Sequence, residues 1–543
     1  MHNTNSAADI VATVSLMAIA LALSIATIVH RPQSTLNTAF VFQDEGLNLL
    51  VADELRTGGV LYRDLAYPYG PIPAYAHTAF TALFGNTPIA YLWFVSLVSS
   101  ATVGLAYWVI RRAAAAPTAM FVTAAGMLTV VIVPGSLVGG QTTAAYVSIE
   151  RAMLLVVALL WQPPASRSLK QSLKIGIALG VWQGVRFGGA FVAGASVLVL
   201  DAADIVTWRA DRVTVTRWVR SLAAIALGFG ALEVAWIAIA YAILPAAIAR
   251  DAIWPSYMLD TYAGWVTPDV RWLQWGGWRL FVAQYLVPCS AGAFGAIGFC
   301  RWIRSRNDPD AAAIFVPLIF FIVGCASYFR QVHHFRQFMW TLVPASAWEL
   351  QRRGFTWHAV TAVLWAPAFF TLLRSSLLMG TAPALVSIAL PAGGTIAATP
   401  PLAARLQFLQ RFVASDAQGA AVIYLDSGAG WYSTYRVPRA TRHAWFAGFD
   451  VIRPYEERSF FDSLDRTAAV IECEKDDRPL TPAGPRLPFP AEVNGALRPR
   501  LQLWTEGAGC RIYRIARAES PPLTDLIAWC LKGRPAGREH LAR

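Results

Sequence analysis

The chain reads as a polytopic α-helical membrane protein that ends in a small mixed α/β domain, and three observations lead there. Only 14% of its 543 residues are charged, whereas a soluble domain carries about 25%. Apolar runs of about 20 residues recur along residues 1–375, the length a helix needs to cross a bilayer core. Short clusters of Arg and Lys separate those runs, the pattern of cytoplasmic loops. Helices are the default reading, because the strands of a β-barrel would alternate apolar and polar positions and these runs do not. The net charge of +12 sits in the same short clusters, and no basic domain carries a recognition motif, so nucleic acid is not an expected partner.

Taken in order, residues 10–29 form the first span. The nine residues before it contain no Lys or Arg, so an uncleaved span with its N-terminus inside fits better than a signal peptide. A polar stretch occupies 31–88. Spans follow near 89–110, 118–134 and 143–160, separated by Arg111-Arg112 and by the short loop Pro134–Thr142. Residues 173–201 are long enough for one span, but Gln183-Gly184-Val185-Arg186 interrupts their middle. Charge bias decides for a helical hairpin. Only then do Arg209, Arg212, Arg217 and Arg220, the cluster Arg301, Arg304 and Arg306, and Arg352-Arg353 return to the side of Arg111-Arg112. Arg186 is then expected near the outer surface.

The remaining spans lie near 220–245, 280–300, 311–329, 338–350 and 355–374, giving about eleven membrane segments and an outside C-terminus. The outer loops are then 31–88, 134–142, 246–279, 329–337 and everything after Arg374. Trp254, Trp265, Trp272, Trp275 and Trp278 in or near the 246–279 loop read as interfacial anchors. Cys289, Cys300 and Cys325 read as small core residues.

Past residue 375 the composition shifts. A Pro/Gly/Ala-rich linker, 376–401, leads to a domain over 402–543. A helix is expected at 402–414. Strands are expected at Ala420–Asp426, Ala468–Cys473, Arg500–Thr505 and Cys510–Ala516, where β-branched and aromatic residues cluster between turn signals. Cys473 and Cys510 bound two of those strands and could bridge in an oxidising compartment.

Chemistry is sought first at Asp44-Glu45, two adjacent carboxylates opening the first polar stretch. Alone they read as solvated loop residues, or as a cap of the amphipathic segment Gly46–Leu55. Downstream of the pair comes an ordered pattern: Gly58-Gly59, Tyr62-Arg63-Asp64, Tyr69-Gly70-Pro71 and Phe84-Gly85.

This stretch of about forty-five residues resembles the first outer loop of GT-C fold membrane glycosyltransferases. The branch in question uses polyprenyl-phosphate sugars and includes the aminoarabinose transferase acting on lipid A and the protein mannosyltransferases. The resemblance implies a GT-C-like catalytic module over 1–375 and an inverting transfer from a polyprenyl-phosphate sugar donor. The acceptor would be a lipid, glycan or protein of the cell envelope, on the outer face of a bacterial inner membrane. It implies Asp44 as the base that takes the acceptor proton, with Glu45 assisting or helping to hold a cation. It leaves a divalent cation open as a cofactor and names no metal ligands.

The leaving phosphate needs cations. Arg330, His333, His334 and Arg336, a basic cluster in a loop expected outside, are the first candidates, with contact to lipid headgroups as the alternative. Glu150-Arg151 at the outer start of a span and Arg186 at the hairpin tip are further candidates. Tyr62, Asp64 and Tyr69 complete the expected substrate-binding set, although an ion pair with a neighbouring Arg would make Asp64 a loop-fixing residue. A transporter or flippase of lipid-linked substrates is the competing class. It would show two related halves with broken helices in corresponding places, and this chain has one hairpin and no such symmetry.

Overall fold

The computed structural model describes residues 7–30, 44–131, 145–207, 212–255, 285–305, 311–327 and 338–377 of the helical part. Beyond these it describes 386–391, 395–417, 420–425, 429–444, most of 452–474, residue 480 and most of 484–516. The chain divides into two units. The first comprises Met1–Ala404, Ser427–Arg436 and Arg442–Asp450; the second comprises Arg405–Asp426, Val437–Thr441 and Val451–Arg543.

The first unit is helical. Its elements are α1 (Ala7–His30), α2 (Asp44–Arg56), α3 (Pro71–Phe84) and α4 (Pro88–Arg111). Then comes α5, which starts as Ala116–Phe121, widens to a π-turn over Val122–Met127 and closes at Leu128–Val131. They are followed by α6 (Ala145–Leu160), α7 (Leu169–Gln183), α8 (Gly189–Thr207), α9 (Arg212–Ile243), α10 (Ala246–Ile253), α11 (Leu286–Ser305), α12 (Ala312–Ser327), α13 (Leu342–Arg353) and α14 (Phe355–Leu377). Local sequence sets several starts. Thr87 caps α4, its side chain accepting from the Ala90 amide, and Pro88 fills the first helical position. Ser168 caps α7 through the Gln171 amide. Two short strands, β1 (Val386–Ala389) and β2 (Thr395–Ala398), pair antiparallel inside the stretch read as a linker.

Buried ion pairs gather the helix ends at one side of this unit. Asp9 in α1 accepts from Arg111 Nε at 2.8 Å and from the Tyr107 hydroxyl at 2.7 Å. Since Asp9 starts α1 and Arg111 ends α4, those two helices run antiparallel. Arg112 donates to the carbonyls of Ala158, Leu159 and Trp161, closing the end of α6. Arg167 holds Asp201 with two bonds of 2.8 and 2.5 Å. Arg167 precedes α7 and Asp201 lies near the end of α8, so residues 173–201 form an antiparallel hairpin whose turn lies at the opposite side. Glu349 near the end of α13 accepts from Arg353 and pairs with Arg301 of α11 at 3.3 Å.

Among the described residues, four helices are long and apolar enough to cross a membrane: Ala7–Ala26, Pro88–Arg111, Val215–Ile243 and Leu286–Ser305. Helix α9 starts at Arg212, well before the expected apolar boundary, because its basic first turns continue the helix beyond the apolar run. Helix α13 has 12 residues, about 18 Å of rise, and is buried from Leu342 to Leu350. It is an interior helix rather than a lipid-facing one.

The second unit holds a four-stranded sheet in the order β3-β4-β6-β5. Helix α15 (Pro400–Ser415) leads from one unit into the other; β3 (Ala421–Tyr424) and β4 (Thr467–Cys473) are parallel. Strands β5 (Leu501–Gly507) and β6 (Cys510–Ile515) form a hairpin, and β6 pairs antiparallel with β4. Between β3 and β4 the chain forms α16 (Ala429–Tyr435), which groups with the first unit, and α17 (Glu457–Leu464); α18 (Ala491–Leu497) follows β4. The apolar residues Leu406, Leu409, Phe412, Ile423, Phe460, Val470, Val493 and Ile512 are all buried. Cys473 and Cys510 lie opposite each other in the β4–β6 register and form a disulfide.

Candidate active site

The side opposite the ion pairs collects α2, the loop 57–70, α3, the starts of α4 and α6, and the α7–α8 turn. Helix α2 begins at Asp44, whose side chain lies outside the described residues. Glu45 is buried, as is Asn48 one turn on. Asn48 accepts from the Tyr67 hydroxyl and donates to the Tyr91 hydroxyl, both at 3.4 Å. Tyr91 in turn accepts from the Ala145 amide at 2.8 Å, which satisfies one of the free N–H groups at the start of α6. His77 of α3 packs edge-on against Tyr91, with ring centroids 4.9 Å apart. Burial pushes His77 down to about 4, against a smaller opposing pull from the Asn48 backbone.

The motif residues of the first loop form an aromatic wall. Tyr62 donates to the Tyr69 carbonyl at 2.7 Å, Tyr67 meets Tyr69 edge-on, and Tyr69 stacks on Tyr146 of α6 at 3.9 Å between centroids. Gly70 explains the Tyr-Gly-Pro motif. A Cβ there would stand 2.2 Å from the Gly184 carbonyl oxygen, and that carbonyl accepts from the Ile72 amide at 2.9 Å. The loop is thus pressed backbone to backbone against the α7–α8 turn, which a side chain at position 70 would prevent. Asp64 is used by the loop itself, accepting from the Val60 amide at 2.7 Å and from Arg63 at 2.8 and 2.9 Å.

Glu150 and Arg186, thirty-six residues apart, form a buried ion pair at 2.9 Å, and Trp182 donates to the other carboxylate oxygen at 3.2 Å. Arg186 is 9% exposed, because the α7–α8 turn folds onto α6 and buries its tip. Its guanidinium stands 5.6 Å from the ring centres of both Tyr146 and Phe338. Arg151 is buried beside Glu150. A route of contacts therefore runs from α2 through Asn48, Tyr67, Tyr69 and Tyr146 to Arg186 and Glu150. Arg330, His333, His334 and Arg336 lie outside the described residues; Phe338, against Arg186, is the first described residue after them. Among the described residues, no three His, Cys, Asp or Glu side chains come together as a metal ligand set.

Asn48, His77, Tyr91 and Tyr146 were not singled out from the sequence. Asn48 and His77 left a signal, each being a polar residue on the apolar face of its helix. The two tyrosines left none.

Solved structures similar to this chain include membrane glycosyltransferases of the GT-C fold. One is the Archaeoglobus fulgidus oligosaccharyltransferase in complex with Zn and sulfate, at 12% identity and a TM-score of 0.47, covering 84% of this chain and 68% of that one. Another is ArnT from Cupriavidus metallidurans bound to undecaprenyl phosphate, at 12% and 0.42, covering 94% and 99%. A third is the arabinofuranosyltransferase AftD from Mycobacteria, at 12% and 0.48, covering 94% of this chain and 40% of that one. No family model matches the sequence, and no curated protein does. At these identities and scores no residue's role is carried across.

Proposed function

We propose that this protein is an inverting membrane glycosyltransferase that moves a sugar from a polyprenyl-phosphate donor to a lipid, glycan or protein acceptor of the cell envelope. The observation that carries this reading is the route of contacts from Asn48, one turn after the acidic pair that opens α2, through Tyr67, Tyr69 and Tyr146 to the cation Arg186, at the side away from the clustered helix-end ion pairs. Asp44 takes the proton of the acceptor hydroxyl as its oxygen attacks the anomeric carbon. The bond from that carbon to the phosphate oxygen breaks, and the phosphate leaves with the added charge. Arg330 and Arg336, with His333 and His334, stabilise that charge, with Arg186 as a further anion contact. Glu45, buried next to Asp44 in the chain, shapes the base's surroundings, and the stacked rings of Tyr69 and Tyr146 offer a surface for a sugar or isoprenoid face.

The described residues supply no ligand set for a divalent cation, and no step here runs through one. The disulfide of the second unit fits an oxidising compartment, and the basic clusters beside the ion pairs fit a cytoplasmic face. Together they favour an orientation with the site and the second unit outside, and the resemblance of the first loop is what points to a bacterial inner membrane. The test is the envelope of a strain lacking the gene. It should show lipid or glycan lighter by one sugar, restored by the wild-type gene and not by Asp44→Asn. An unchanged envelope, or restoration by Asp44→Asn, would contradict the reading.

A further inference from the structure

We propose that Ser433 and Arg442, far along the chain, are positioning residues that hold the first loop in the placement sugar transfer requires; this rests on the glycosyltransferase reading. Both lie in stretches that group with the helical unit rather than with the sheet around them in sequence. All seven residues of α16 are buried, and α16 packs along α2. A helix of that length does not persist in isolation, so its burial against α2 is what forms it.

Two contacts carry the hold. On α2, Asp53 is gripped from both sides: Ser433 donates to Oδ2, and Asn86 donates to Oδ1 at 2.7 Å while the same amide donates to the Leu49 carbonyl at 2.8 Å. On the loop, the Arg442 guanidinium donates to the Tyr62 carbonyl, and the Arg442 carbonyl accepts from the Ala66 amide at 3.0 Å. Tyr62 has φ 68°, a left-handed conformation that a non-glycine residue adopts at a cost. It is kept there by Arg442 at its carbonyl, by Tyr69 at its hydroxyl and by Trp236 of α9 at its ring, 6.1 Å between centroids. Among the described residues three non-glycines have positive φ, and the second is Arg436 at the end of α16. Loss of Arg442 frees Tyr62 to relax, and Tyr62 holds Tyr69, whose ring completes the stack on Tyr146.

Two readouts on the full-length protein in detergent test the proposal. In Arg442→Ala, and more mildly in Ser433→Ala, amide hydrogen exchange over residues 45–70 should quicken while exchange elsewhere stays as in wild type. Per folded molecule, kcat should fall about tenfold or more, since a misplacement of about 1 Å is enough for such a loss. Arg442→Lys, which keeps a donor, should recover much of the rate. Unchanged exchange over 45–70 overturns the proposal, as does quickened exchange with wild-type kcat, or a loss of activity that only follows the amount of folded protein. A wild-type protein with no transfer activity instead overturns the proposed function, and the exchange result then decides the hold by itself.

Discussion

Replacing Arg186 by Met removes one half of a pair that the interior encloses almost completely. Glu150 and Arg186 have side-chain exposures of 2% and 11% and meet at 2.9 Å. After the change the carboxylate keeps the Trp182 indole N–H, at 3.2 Å, as a neutral donor. Deleting one partner of a buried pair costs about 3–5 kcal/mol, mostly the penalty of leaving the other charge enclosed. Arg151, buried beside Glu150 and attracted by it, takes up part of that charge and sets the effect at the low end, about 3 kcal/mol. Glu150→Gln takes the carboxylate away from both Arg186 and Arg151 and should cost a similar amount. Arg151 loses the attraction of Glu150 in both proteins that carry Glu150→Gln, a cost that cancels in the cycle, so the double variant should be less destabilised than the sum of the singles by about 2 kcal/mol or more. The assay is unfolding of all four proteins in mixed detergent micelles, analysed as a double-mutant cycle. Single changes costing under about 1 kcal/mol, or strictly additive changes, would refute a buried, mutually neutralising pair.

Two further predictions concern the same side of the molecule. Gly70→Ala should destabilise the first loop by about 1–3 kcal/mol, because the added methyl meets the Gly184 backbone rather than a side chain that can turn away; unfolding and protease sensitivity over 57–70 would reveal it, and a wild-type profile would count against the contact. His77, lowered to about 4 from an ordinary value near 6.5, is neutral in the folded chain. Its contribution is complete above about pH 6.5 and is lost as pH falls through that value towards 4, on the order of 3 kcal/mol in all. His77→Phe should flatten the unfolding midpoint across pH 4–7, and an unaltered pH profile would contradict the assignment.

Much of the helical frame was legible because it is written locally. Apolar runs mark α1, α4, α6 and α11, and the Thr87-Pro88 start of α4 is a capping signal in plain sequence. The hairpin at 173–201 was legible from the side on which the basic clusters must fall, and the Arg167–Asp201 pair is its physical counterpart. In the candidate site, the Tyr-Gly-Pro motif was visible as a pattern, but its cause, the backbone of Gly184, lies more than a hundred residues away.

A separation of thirty-six residues hid the Glu150–Arg186 partnership, which exists only once the hairpin tip returns to α6. Strands β1 and β2 escaped notice because four small or apolar residues each, in a Pro/Gly/Ala-rich stretch, give no alternation to read. Helix α16 escaped for a related reason: seven residues, Ala-Gly-Trp-Tyr-Ser-Thr-Tyr, carry no amphipathic period, and only α2 makes them a helix.

The central claim is that Asp44 serves as the base for transfer from a polyprenyl-phosphate sugar. The measurement is the release of polyprenyl phosphate from a defined polyprenyl-phosphate sugar, followed by mass spectrometry, by the purified protein in the presence of envelope extract. The wild-type protein should release it with time. Asp44→Asn, equally folded, should fall at least about a hundredfold, within the range that general-base removal takes away. Release by Asp44→Asn at the wild-type rate would contradict the account.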